Sequence, residues 1–272
     1  MIPKLLAGDV IGPVILGSHV AGLPAGVNVF QMAYYWFNYK DPLNIMLFVA
    51  LVITSDLLNE ALTLYSLYWY AVQDNLDRVN RATQVQVIVN ALSVYLVHSF
   101  FSWKIWQLSG RSYFSAGIFG LLTFAELGCI IAFTQKSFAT HTQLSGLQEL
   151  LIIQNIITVF IDISITVGLS ILYRGMLQMG TRSLDSILKR LVLLALNTGF
   201  FTSLVSTGVL LSVVLSPNTA VPLALIFCIG PVYSACLLGS LNARSWLQAG
   251  RNHSYDDNIQ FAPPTHTIAV AV

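Results

Sequence analysis

Charge is what this chain has least of. Lys, Arg, Asp and Glu together make up 9% of its 272 residues, whereas hydrophobic residues make up 56%. A soluble domain carries about 25% charged residues, so this chain has too few to cover a water-facing surface. Mean hydropathy is +0.72, and the composition specifies a membrane protein whose first partner is the lipid bilayer. The net charge of +1 comes without any dense basic block, which leaves no footprint for nucleic acid. Cysteine is scarce too. Cys129, Cys228 and Cys236 all fall within apolar runs, which argues against a disulfide framework and against a Cys-rich metal site.

Several motifs are missing as well. Residues 221–243 contain no lysine, which rules out a retinal Schiff base in the last span. No H-x-x-x-H occurs, and His19, His98 and His141 lie on separate segments, so an intramembrane zinc hydrolase is unsupported. The third apolar run ends SWKIWQLS instead of showing D-R-Y. The seventh carries GPVYSACLLGSLNAR instead of N-P-x-x-Y, and no cysteine lies in a loop. The shape is receptor-like without the rhodopsin-like motifs. No enzyme, metal or cofactor is expected.

What the chain does have is long apolar runs. A spanning helix needs roughly 20 mostly apolar residues, and seven runs qualify, at 11–37, 43–71, 83–108, 113–135, 148–173, 188–214 and 221–243. They show no alternation at period two, which excludes strands. Between them lie NYKDP, QDNLDRVNR, SGRS, KSFATHTQLSG, GMLQMGTRSLDS and SPNTA, punctuation typical of loops. The expected fold is an all-α seven-helix membrane bundle over 11–247. A short lead at 1–10 precedes it, and a flexible tail at 248–272 follows. The opening MIPKLLAGDVIGPVILGSHV has a signal-like lysine before apolar residues, but Asp9 interrupts it and no A-x-A-like site follows. Pro13, Gly17, Gly22, Pro24 and Gly26 are expected to kink or loosen the first span.

Orientation follows from basic residues near span ends. With seven spans, Lys4, Arg78, Arg81 and Lys136 fall on one side and the other nine of the 13 Lys and Arg on the other. That imbalance predicts an outer N-terminus and a cytoplasmic C-terminus, in the plasma membrane. Trp36, Trp69, Trp103, Trp106 and Trp246 sit near run ends, where amphipathic rings favour the interface.

Acidic residues inside the spans are the main functional signal. Asp56 lies near the middle of the second span with Glu60 one turn away; Glu126 and Asp162 lie near the middles of the fourth and fifth. His98 is the single histidine at similar depth in the third. A charge at a helix centre costs about 2.5–3.5 kcal/mol even on lenient insertion scales, so these residues face the bundle interior. Asp56 and Glu60 are i and i+4, hence on one face. Two neighbouring carboxylates in low dielectric rarely both ionise, so they would share a proton or hold a cation. Asn59, Asn90, Asn155 and Asn197 offer amide partners. The candidate ligand or cation site is therefore Asp56, Asn59, Glu60, His98, Glu126 and Asp162. The competing role is hydrogen-bonded glue between helices.

Small residues repeat every four positions at Ala235, Gly239 and Ala243, and at Ala116 and Gly120; such spacing predicts close helix packing. The basic cluster Arg174, Arg182, Lys189 and Arg190 is a candidate surface for a cytosolic partner or anionic lipid, or simply fixes orientation.

The segments QMAYYWFNYKDP, FFSWKIWQLSGR, LDSILKRLVLLALNTGFFTSL and YSACLLGSLNAR resemble the fungal, largely basidiomycete, seven-helix membrane proteins grouped as a domain of unknown function. Their last span typically closes on a serine–leucine–asparagine–alanine–arginine motif, here Ser240 to Arg244. The resemblance spans residues 10–247 and implies an integral membrane protein of unestablished activity. Asp56 matches an aspartate common in that family. Asn59 and His98 stand where histidine and glutamine are frequent, departures that argue against a shared histidine chemistry. The leading expectation is a receptor-like or sensory protein with an intramembrane site for a small ligand or cation. The alternative is a proton- or cation-coupled transporter using the midplane carboxylates.

Overall fold

A computed structural model describes residues 7–73, 80–139, 145–179, 182–216 and 219–260. Side chains are described at 12–70, 72, 80–139, 149–175, 198–216 and 219–243. Among these residues the fold is all-helical: α1 (Ala7–Asn38), α2 (Leu43–Gln73), α3 (Arg81–Leu108), α4 (Tyr113–Ala139), α5 (Ser145–Met179), α6 (Arg182–Leu215) and α7 (Val221–Gln260). All seven are long and apolar enough to cross a membrane, so the chain is a multi-pass membrane protein. Hydrocarbon offers no water to backbone polar groups, and a helix satisfies them within one segment.

Burial is inverted relative to a water-soluble fold. Phe30 is 79% exposed and Leu121 73%, as lipid-facing side chains should be, while Asp56, Gln86, His98, Glu126 and Asp162 are buried. Consecutive helices pack pairwise, and α1 against α7 closes the ring. Within the ring α7 also meets α2 and α3, and α3 meets α5. Of the α7 span 56% is buried, against 17% of α4, which makes α7 the central helix.

The backbone departs from expectation in three places. α1 runs as one helix through Pro13 and Pro24. α7 stays helical to Gln260, beyond the boundary at 247 expected for the membrane domain; residues 261–272 lie outside the described residues. The stripes of small residues are not close crossings either, since a Cβ on Gly239 or Gly120 would meet nothing within 4 Å. The close approaches are elsewhere. A Cβ on Gly17 would lie 2.6 Å from the Ala224 Cα of α7, and one on Gly199 of α6 would collide with Thr166 Oγ1 of α5. Four-residue spacing of small side chains defines a stripe, but which stripe a neighbour covers depends on the whole ring.

Candidate functional site

α7 is continuous, but its hydrogen-bond ladder is interrupted near the middle of its membrane span, at Pro231, and that interruption organises the first of two polar centres. Pro231 has no N–H to offer the carbonyl of Phe227. One residue earlier, the side-chain amide of Asn90 on α3 bonds both ends of a rung. Its Nδ2 donates to the Ile226 carbonyl at 2.9 Å, and its Oδ1 accepts from the Gly230 N–H at 2.7 Å. Glycine is required there, because a Cβ on Gly230 would stand 2.5 Å from Asn90 Oδ1. From α1, Asn28 Nδ2 donates to the Pro231 carbonyl at 2.8 Å and to Asp56 Oδ2 at 3.0 Å. Both N–H bonds of the Asn28 amide are thereby used.

Asp56 is thus held between α1 and α7, and the Ser234 hydroxyl lies beside its carboxyl without meeting hydrogen-bond geometry. Asp56 Oδ1, Asn28 Oδ1 and Ser234 Oγ are buried with no hydrogen-bond partner among the described residues. Asn59 Oδ1 accepts from Gln86 Nε2 at 2.9 Å, one helical turn along. Glu60 is half-buried next to Gly22 of α1, and its Oε2 is also without a partner.

The second centre joins α3, α4, α5, α6 and α7. His98 Nδ1 meets Glu126 Oε2 at 2.9 Å and Oε1 at 3.0 Å, and its Nε2 meets Asp162 Oδ1 at 3.2 Å. Tyr233 of α7 donates its phenolic O–H to Asp162 Oδ2. Ser206 of α6 donates to the same oxygen at 3.3 Å and lies 2.8 Å from the Tyr233 hydroxyl. Thr158 reaches Glu126 Oε1 at 3.4 Å, and the Tyr233 ring packs edge-on against His98 at 5.3 Å. A neutral imidazole has one N–H, so facing two carboxylates the ring is either an imidazolium or leaves a proton on one carboxyl. The centre can hold or pass a proton, and every member is buried.

Beside it, between α3, α5, α6 and α7, lies a cavity of about 20 Å³ bordered by His98, Asp162, Tyr233, Gly199 and Cys236. That is room for one water molecule. Among the described residues no group of three or more His, Cys, Asp or Glu is arranged to hold a metal ion.

Of the expected site residues, His98, Glu126 and Asp162 come together in one network. Asp56 anchors the other centre, and Asn59 and Glu60 lie along the same helix. Asn155 bonds only its own helix among the described contacts, at the Leu151 carbonyl. The side chains of Asn197, Arg182, Lys189 and Arg190 lie outside the described ones; Arg174 is exposed. Sequence reasoning missed Asn28, Gln86, Ser206, Tyr233 and Ser234. A mid-span Tyr two residues after Pro231 was a usable signal, since span tyrosines otherwise gather at the interface.

One comparison with known proteins finds a counterpart. Residues 158–246 match the model of a family described as a family of unknown function (DUF6534). The match covers less than half of the chain; it takes in Asp162, Ser206, Tyr233 and Ser234 but not Asp56, His98 or Glu126. No curated protein and no solved structure matches.

Proposed function

We propose that the chain is a receptor-like or sensory membrane protein in which a small ligand or cation, bound among the buried polar groups, repositions α7. The observation that carries this reading is the convergence on α7. Asn28 of α1, Asn90 of α3, Asp162 of α5 and Ser206 of α6 all bond it, and Asp56 of α2 lies beside it. Polar partners can be exchanged in discrete steps, so a guest that bonds one arrangement better biases the helix position. In this reading the N-terminus is outside and the C-terminus cytoplasmic, in a fungal plasma membrane. Arg174, Arg182, Lys189 and Arg190 then face the cytosol, where a partner or anionic lipid docks. In this reading the protein is not an enzyme.

The second reading, a proton- or cation-coupled carrier, draws support from the buried span carboxylates Asp56, Glu126 and Asp162, since such residues mark ion and proton pathways in membrane proteins. Reconstituted vesicles separate the two. After an acid or sodium step, the sensory reading expects no flux above protein-free vesicles and a changed distance between spin labels at Ala243 and Gly110. Flux without that movement favours the carrier. For orientation, a glycan acceptor introduced near residue 75 is expected to be modified and one near residue 182 to stay bare; the opposite pattern reverses the topology.

A further inference from the structure

We propose that Asp56, Asn28 and Ser234 bind a sodium ion at the interruption of α7. This rests on the reading of the interior polar groups as a ligand site, and it names the guest for one half of them. Three side-chain oxygens from three helices, Asn28 Oδ1, Asp56 Oδ1 and Ser234 Oγ, have no hydrogen-bond partner among the described residues. Their residues are 1%, 2% and 0% exposed, so bulk water does not serve them. A buried polar atom left unpaired is costly, and a buried charge more so. Asp56 is the ionisable group of the three; the Asn28 amide donates to it and the Ser234 hydroxyl lies beside it. The acid one turn away, Glu60, has the same sign and adds to the demand for a cation.

The chemistry selects the ion. One carboxylate with neutral amide and hydroxyl oxygens is a hard, singly charged donor set, suited to an alkali cation rather than a transition metal. Little exposure means the guest is small and sheds its water. The competing occupant is a water molecule with a proton on Asp56, and dependence on sodium separates the two.

The test is the melting temperature of the full chain in detergent, with choline chloride exchanged for sodium chloride at constant ionic strength. Sodium is expected to give a saturating rise of about 3–5 °C at about ten times the dissociation constant. Asp56→Asn is expected to abolish it. Ser234→Ala removes an oxygen with no hydrogen-bond partner among the described residues, so it should fold normally while the sodium midpoint moves up roughly threefold or more. His98→Gln, in the other centre, should leave the midpoint unchanged. Equal melting temperatures in sodium and choline overturn the proposal and leave water as the occupant. Wild-type midpoints in both Asp56→Asn and Ser234→Ala overturn it as well. A sodium response without the label movement described above supports the site while removing the sensory reading.

Discussion

The two polar centres differ in one respect that matters more than their charge. Around His98, each side-chain oxygen and nitrogen of Glu126, Asp162, Ser206 and Tyr233 has a partner. Around Asp56, the unpartnered atoms accumulate: Asn28 Oδ1, Asp56 Oδ1, Asn59 Nδ2, Glu60 Oε2, Gln86 Oε1 and Ser234 Oγ. Both lie at similar depth, and both touch α7. A saturated network is a fastening, because any rearrangement breaks bonds that it cannot remake. An unsaturated one stays folded only by tolerating unpaired atoms, and it gains when something fills the gaps. Saturation, not acidity, separates a structural knot from a candidate binding place.

The largest expected effect tests the fastening. Asp162→Ala strips His98 Nε2, Ser206 and Tyr233 of their shared acceptor, and removing one partner of a buried charged set costs about 3–5 kcal/mol. The melting temperature should fall by about 6 °C or more, since about 1 kcal/mol corresponds to about 2–4 °C in a chain of this size. A loss within a degree would break the comparison, because the His98 centre would then be no better fastened than its neighbour.

How much of this was legible in the sequence follows from the physics of each signal. The spans were legible because hydropathy sums over some 20 residues and one misplaced glycine or proline barely alters the sum. The depth of Asp56, Glu126 and Asp162 was legible for the same reason. Azimuth was not. Asp56 and Glu60 share a helix face by spacing, yet Asp56 is buried against α1 and α7 while Glu60 is half-buried beside Gly22. Whether Asn28 or Ser234 points at Asp56 depends on how α1 and α7 are rotated in the ring, which no single helix encodes. Asn90 was recognised as an amide partner, but its bridge across Ile226 and Gly230 required knowing that α3 packs on α7.

The middle-sized prediction sharpens the point about azimuth. Gly17 and Gly120 are both span glycines, but only Gly17 faces a neighbouring backbone, with Ala224 Cα at 2.6 Å from an added Cβ. Gly17→Ala should therefore cost about 1–3 kcal/mol through overpacking of α1 on α7. Gly120→Ala meets nothing within 4 Å and should be neutral or slightly stabilising, since glycine in a helix is about 1 kcal/mol worse than alanine. Unfolding of the two variants side by side measures the difference. Equal effects would mean that α1 and α7 are not in the close register described.

The smallest effect is also the most direct comparison of the centres. Ser206 and Ser234 are both buried serines, on α6 and α7, and both lie beside a carboxylate. Ser206 bonds Asp162 and Tyr233; Ser234 Oγ has no partner. Replacing each with alanine deletes the same atom, so loss of packing is common to both and cancels in the difference. What remains is the hydrogen bonding of Ser206, worth about 0.6 kcal/mol for an average interhelical bond in a membrane and up to about 1.7. Measured in choline, so that no sodium contributes, Ser206→Ala should melt about 1–7 °C below Ser234→Ala. Sodium near the wild-type midpoint should narrow that gap, because Ser206→Ala retains the proposed sodium ligands and should rise like wild type, whereas Ser234→Ala responds only at higher concentration. If Ser234→Ala proves the less stable of the two in choline, its hydroxyl has a partner in the folded protein, and the distinction between a closed and an open centre fails at its simplest point.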